Sequence, residues 1–134
     1  MTVVGHGIDL VEIGRISRML DEHEARFVER CFTARELQHA DAAPRKRLER
    51  LAGRFAAKEA ILKALGTGWR DGIAWTDMEI LPDTLGRPVL TLSGQAASIA
   101  SRKNIGDWNI SISHTGTLAI ASAIALSLQP DKVS

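Results

Sequence analysis

Asp9, Glu59 and Lys63 are the residues whose types could handle a phosphate ester, and a run of basic residues stands close by in the chain. A hard divalent cation such as Mg2+ takes one or two protein carboxylates and fills its remaining positions with phosphate oxygens and water. Two carboxylates beside a lysine therefore have the makings of a phosphate-handling centre. The plainer reading is a capping Asp9 and an i,i+4 pair of Glu59 with Lys63, worth about 0.3 kcal/mol. Residue types alone leave these two readings balanced.

The segment Arg54-Phe-Ala-Ala-Lys-Glu-Ala-Ile-Leu-Lys-Ala-Leu-Gly-Thr-Gly68 sharpens the question. At about 100° per residue, Leu48, Leu51, Phe55, Ile61, Leu62 and Leu65 form an apolar arc, with Ala56, Ala57, Ala60 and Ala64 opposite. Arg54 and Lys58 fall inside the apolar arc. A charge there must be paired internally or must face a polar ligand held by the fold, and the second alternative is the reading adopted from sequence. Arg47, Arg50, Arg54 and Lys58 lie within roughly 80° of one another, with Arg45 and Lys46 at the helix start. Such a ridge is more often a solvated face. This one leads to Gly66-Thr-Gly68, whose missing side chains let backbone N–H groups approach an anion. Glycines after a helix are also a plain C-cap. Because they follow the helix instead of opening it, they form neither a Walker loop nor a dinucleotide fingerprint.

His114 and Thr115 stand at the end of an alternating segment, where an imidazole can donate to a phosphate, although a strand-end histidine without function is commoner. Cys31 lacks metal-ligand spacing or a nearby His and reads as a small buried apolar residue. Trp69, Trp75 and Trp108 are scattered singly, which favours packing over a base-stacking platform.

The elements that must position these residues follow from periodicity. Val3 to Asp9 reads as a short strand that gives way to a helix through Val11, Ile16, Met19 and Leu20, which puts Asp9 at the strand-to-helix junction. Thr33-Ala-Arg-Glu36 has capping-box spacing for a short helix ending near Ala40. Pro44 opens the long helix to about Leu65. Trp75 to Leu81 and Pro88 to Leu92 pair as a hairpin across the 82–87 turn, and Ser93 caps a helix through Lys103. Trp108 to His114 and the buried Leu118 to Leu126 form a second hairpin. The expected fold is α+β, one domain over residues 1–134 with a polar tail at 129–134, in which one long helix packs on antiparallel hairpins.

Composition bounds the partners. The chain has 134 residues, 45% of them hydrophobic, enough for a core of its own. A net charge of +1 gives no bulk drive toward nucleic acid or a membrane, so any electrostatic recognition is local. The single Cys31 forms no internal disulfide and no segment resembles a signal peptide, so a cytoplasmic location is expected. Leu118 to Leu126 falls short of the ~20 residues that span a bilayer as a helix.

In order and spacing, Gly7-Ile-Asp-Leu-Val-Glu-Ile13, the Arg54 to Gly68 segment, Trp75-Thr-Asp-Met-Glu-Ile80, Gly86-Arg-Pro88 and Ile110-Ser-Ile-Ser-His-Thr115 together resemble the bacterial holo-acyl-carrier-protein synthases, from residue 5 to about 126. The resemblance implies the phosphopantetheinyl transferase fold. It also implies transfer of 4'-phosphopantetheine from coenzyme A to a serine of apo acyl carrier protein, with release of 3',5'-ADP, in fatty acid biosynthesis. Mg2+, or Mn2+ in its place, and a homotrimer with sites between subunits are implied as well. Asp9 and Glu59 match the family's metal ligands and Lys63 its phosphate-side lysine. Arg45, Lys46 and Arg54 match contacts to the coenzyme A 3'-phosphate, and Lys58, Gly66, Gly68, His114 and Thr115 complete the expected coenzyme A set. His114 matches a histidine present in part of the family. Arg15 and Arg26 match positions that contact the carrier's acidic helix; Arg18 is one turn from Arg15, and the plainer reading of all three is surface arginine paired with nearby glutamates. Glu59 is the favoured proton acceptor, directly or through a bound water. The residues alone also admit another phosphotransferase or pyrophosphatase, and a non-catalytic coenzyme A or nucleotide-binding module.

Overall fold

The computed structural model describes residues 1–67 and 71–128. Strand β1 (Val3–Glu12) leads into helix α1 (Ile13–Cys31), then α2 (Ala34–Asp41) and, after a 3-10 turn at Pro44–Lys46, the long α3 (Arg47–Leu65). A 3-10 turn at Trp75–Asp77 precedes β2 (Met78–Pro82), followed by β3 (Pro88–Leu92), α4 (Gly94–Arg102), β4 (Ile105–His114) and β5 (Leu118–Ser127). The strands form an antiparallel sheet in the order β1-β5-β4 and a separate β2-β3 hairpin. The α+β expectation holds.

Helix α3 is the axis of the molecule. Leu51, Ala52, Ala56, Ala57, Ala60 and Ile61 have no exposed surface, so both its alanine side and its leucine side are buried. It is therefore a central helix, buried on both flanks. The alanine side meets the sheet through Ala119, Ala121, Ala123 and Ala125 of β5, all at most 1% exposed. Opposite them across the β1–β5 register stand Val11, Asp9, Gly7 and Gly5. An added Cβ would lie 2.0 Å from the Ala64 carbonyl oxygen at Gly5 and 1.9 Å from that of Ala60 at Gly7. Only glycine admits so close an approach of strand to helix.

Several local expectations change. Because β1 runs on to Glu12, Asp9 lies within the strand and not at its junction with α1. Pairing with β5 through Glu12↔Leu118 keeps the chain extended past the point where the apolar pattern turns helical. Helix α1 is interrupted at His23 (φ −144°, ψ 38°). Thr33 and Glu36 form the anticipated capping box. At α4 the Ser93 side chain makes no cap bond, and the Ala96 N–H donates instead to the Asp77 carboxylate at 3.3 Å. The Trp75 end of the anticipated strand is a 3-10 turn; its indole is buried and stacks on Phe55 with centroids 5.0 Å apart. Trp108 is half-buried against the core, so both described tryptophans pack as expected, and Trp69 lies outside the described residues. Cys31 is buried, which pushes its thiol pKa up to about 11.

Candidate active site

The close seating of β1 on α3 assembles the first cluster. Gly5, Gly7, Asp9 and Val11 face the helix, so Asp9 is directed toward the turn of α3 that carries Glu59 and Lys63. The Lys63 ammonium donates to Asp9 Oδ1 at 3.1 Å and to the Ile8 carbonyl at 3.0 Å. Glu59 is half-buried, and desolvation together with the negative charge of Asp9 raises its carboxyl above the usual carboxylate range, while Lys63 and Arg15 oppose the shift. Two neighbouring carboxylates of this kind form a donor set suited to one divalent cation plus phosphate oxygens. Among the described residues no group of three or more His, Cys, Asp or Glu converges. The pair would thus need ligand and water to complete an octahedral shell.

A groove of about 410 Å³ opens beside Glu59, floored by Met19, Phe27, Phe55 and Trp75 and bordered by Arg15, Arg26 and Arg30. The apolar floor and Arg30 went unremarked in the sequence because their residues come from α1, α3 and the turn before β2. The guanidinium of Arg15 lies 5.9 Å from the Phe55 ring centroid, which ties it to this floor.

The second cluster is a cavity of about 500 Å³ between the start of α3, the β2-β3 hairpin and the end of β4. His39, Lys46, Glu49, Arg50, Arg54 and His114 line it, with Ile80, Pro82, Pro88 and Ile112 supplying apolar wall. His114 Nε2 is 3.6 Å from Glu49 Oε2. Arg54 is only 5% exposed; its Nε donates to the Ile80 carbonyl at 2.8 Å and its Nη2 to His39 Nδ1 at 2.7 Å. Arg54 is thus a wall fixed from behind. Arg45 and Lys46 are exposed at the rim of the helix start, and Lys46 reaches the cavity lining. His39 and Glu49 carried no sequence signal for this role, whereas Arg50 belonged to the basic ridge.

Lys58 requires a correction. Placed by sequence among ligand-facing charges, it is 0% exposed and lies in the core. Its ammonium donates to Glu36 Oε1 at 2.6 Å, to the Cys31 carbonyl at 2.7 Å and to the Trp75 carbonyl at 3.2 Å. Of the two readings of a charge within an apolar stripe, internal pairing is correct here. Glu36 spends its other oxygen on the Ile80 N–H at 2.9 Å. Gly66 takes a left-handed φ of 73° and closes α3 as a C-cap, with Lys103 donating to the Leu65 carbonyl. Thr115 Oγ1 accepts from the N–H groups of Thr117 and Leu118 and so holds the β4-β5 turn. Gly68 lies outside the described residues.

The two clusters sit on opposite sides of one helix. At about 100° per residue, Arg50 and Arg54 are centred roughly 180° around α3 from Glu59 and Lys63. Their centres are also separated by about 14 Å along the axis at 1.5 Å per residue.

An acidic and lysine-bearing cluster and a cationic cavity on one small α+β domain supply the groups that a phosphate ester calls for. The profile of the 4'-phosphopantetheinyl transferase superfamily matches residues 5–119. A holo-[acyl-carrier-protein] synthase of Trichlorobacter lovleyi is 46% identical over 123 residues, covering 91% of this chain and 96% of the relative. The crystal structure of the holo-[acyl-carrier-protein] synthase from Neisseria meningitidis superposes with a TM-score of 0.86 at 31% identity, covering 94% of this chain and 100% of that one. That of a holo-(acyl-carrier-protein) synthase from Bacillus anthracis, in complex with CoA (3',5'-ADP), gives 0.78 at 38% identity, covering 95% and 99%. This chain belongs to the 4'-phosphopantetheinyl transferase superfamily.

Proposed function

We infer that this protein transfers the 4'-phosphopantetheine group of coenzyme A to a serine of an apo acyl carrier protein, releasing 3',5'-ADP. The observation that carries the reading is the convergence of Asp9, Glu59 and Lys63 in a chain aligned along nearly all its length with holo-[acyl-carrier-protein] synthases. Asp9 and Glu59 would hold Mg2+, or Mn2+ in its place; when bound there the ion neutralises charge on the coenzyme A diphosphate. Lys63, beside Asp9, donates to the oxygens of the departing phosphate as negative charge grows on it. The serine Oγ forms a bond to the pantetheine-side phosphorus, and the P–O bond to the nucleotide-side phosphate breaks. Serine's proton is too tightly held for unaided attack, and Glu59 accepts it, directly or through a bound water.

The cationic cavity suits the 3'-phosphate and adenosine end of coenzyme A, with Lys46, Arg50 and Arg54 in its lining and the exposed Arg45 next to Lys46 in the chain. Loss of the charge-assisted bonds to that phosphate should cost about 1.5–3 kcal/mol, so 3'-dephospho-coenzyme A is expected to be the poorer donor. The groove beside Glu59, with an apolar floor and an arginine border that includes Arg15 and Arg26, suits the acidic helix of a carrier protein. The opposition of the two clusters around α3 supports a site completed between copies. The open sheet face offers an apolar surface for assembly, which the homotrimer would use, since Val4, Ile8 and Leu10 of β1 are 46–58% exposed and Ile120 of β5 is 38% exposed. A place in fatty acid biosynthesis and a cytoplasmic location accord with that reaction; no helix among the described residues is long and apolar enough to cross a membrane.

Incubation with coenzyme A, Mg2+ and an apo carrier protein tests the reading. The carrier is expected to gain one phosphopantetheine by mass, with 3',5'-ADP released in equal amount. Hydrolysis of coenzyme A without carrier would point to a pyrophosphatase instead.

A further inference from the structure

His39, on α2, lines the cationic cavity, and its contact with Arg54 selects one tautomer of the ring. Arg54 Nη2 stands 2.7 Å from Nδ1. A guanidinium has donors only, so Nδ1 must be the bare nitrogen and the hydrogen must sit on Nε2. Arg50 Nη1 donates to the His39 backbone carbonyl at 2.6 Å, which pins the residue itself. Partial burial and the charges of Arg54 and Arg50 hold the ring below the usual histidine pKa. Among the described residues Nε2 makes no hydrogen bond, and it is the one polar ring atom left for a ligand.

We propose that His39 is a positioning residue of the donor cavity, whose Nε2–H donates to a ring nitrogen of the nucleotide base of the donor. An uncharged acceptor fits better than a phosphate. A phosphate dianion is better met by the cationic side chains of the same cavity. The same Arg54 bridges to the Ile80 carbonyl, which places His39 on the β2 side of the cavity, where Ile80, Pro82 and Pro88 offer apolar surface to a flat base. The proposal rests on the reading that coenzyme A is the donor.

Steady-state kinetics of His39→Leu and His39→Gln against both coenzyme A and 3'-dephospho-coenzyme A test it. Leucine removes donor and acceptor together, whereas glutamine keeps one of each. His39→Leu should raise KM about five- to tenfold for both donors, with kcat changed less than about twofold. His39→Gln should restore KM to near the wild-type value. Should the leucine variant fail to fold, His39→Ala carries the same expectation. An unchanged KM, a glutamine variant as impaired as leucine, or a loss with coenzyme A that is absent with its 3'-dephospho form would overturn the proposal. A wild-type protein that transfers nothing from coenzyme A refutes the functional reading itself. A wild type that transfers, alongside an unaffected His39→Leu, refutes only the role of His39.

Discussion

Lys58 and Lys63 stand on the same helix and meet opposite environments. Lys58 is enclosed by Glu36 and two carbonyls, while the Lys63 side chain is 54% exposed beside Asp9. Removing one member of a buried pair leaves the other charge uncompensated. Lys58→Met is therefore expected to lower stability by about 3–5 kcal/mol, read as a fall in the denaturation midpoint, with part of the loss recovered when Glu36→Gln is added. Asp9→Ala removes only a partly exposed ion pair, and should cost about 1 kcal/mol or less while abolishing transfer. Near-normal carrier modification by Asp9→Ala at saturating Mg2+ would refute its assignment as a ligand. The sequence exposed the anomaly of charge within an apolar stripe but not its resolution. The partners of Lys58, namely Glu36, Cys31 and Trp75, are distant in the chain and converge only through tertiary packing.

Seating β1 on α3 is what turns separate sequence segments into a site. With a Cβ at Gly7 lying 1.9 Å from the Ala60 carbonyl oxygen, Gly7→Ala must push strand and helix apart. Overpacking of this kind costs typically about 1–3 kcal/mol. The expected result is a lower melting temperature by circular dichroism together with reduced transfer, because Asp9 moves with its strand. Unaltered stability and activity would show that this contact does not set the position of Asp9. The capping box at Thr33, the C-cap at Gly66 and both hairpins were legible because their signals are local. The extension of β1 past Asp9 and the capping of α4 by Asp77 were not, since each depends on a partner from another element: β5 for the strand and the turn before β2 for the cap.

At the scale of the whole molecule, one chain presents the cationic cavity and the carboxylate cluster on opposite sides of α3, and it leaves apolar residues exposed on the outer sheet face. Ile8→Glu on that face should give monomers by sedimentation velocity, with transfer lost although the fold persists. Mixed assemblies of Asp9→Ala with a cavity variant such as Lys46→Glu should regain part of the activity that each lacks alone. Full activity in an Ile8→Glu monomer would show that one chain suffices. The sequence could carry the residues of both clusters but not their separation around the helix, which appears only once α3 is seen as a central element buried on both flanks. The most direct measurement is the intact mass of an apo acyl carrier protein after incubation with this protein, coenzyme A and Mg2+. A single added phosphopantetheine on the carrier, abolished by Glu59→Ala and matched by released 3',5'-ADP, is the predicted result. A carrier of unchanged mass in the presence of folded wild-type protein would contradict it.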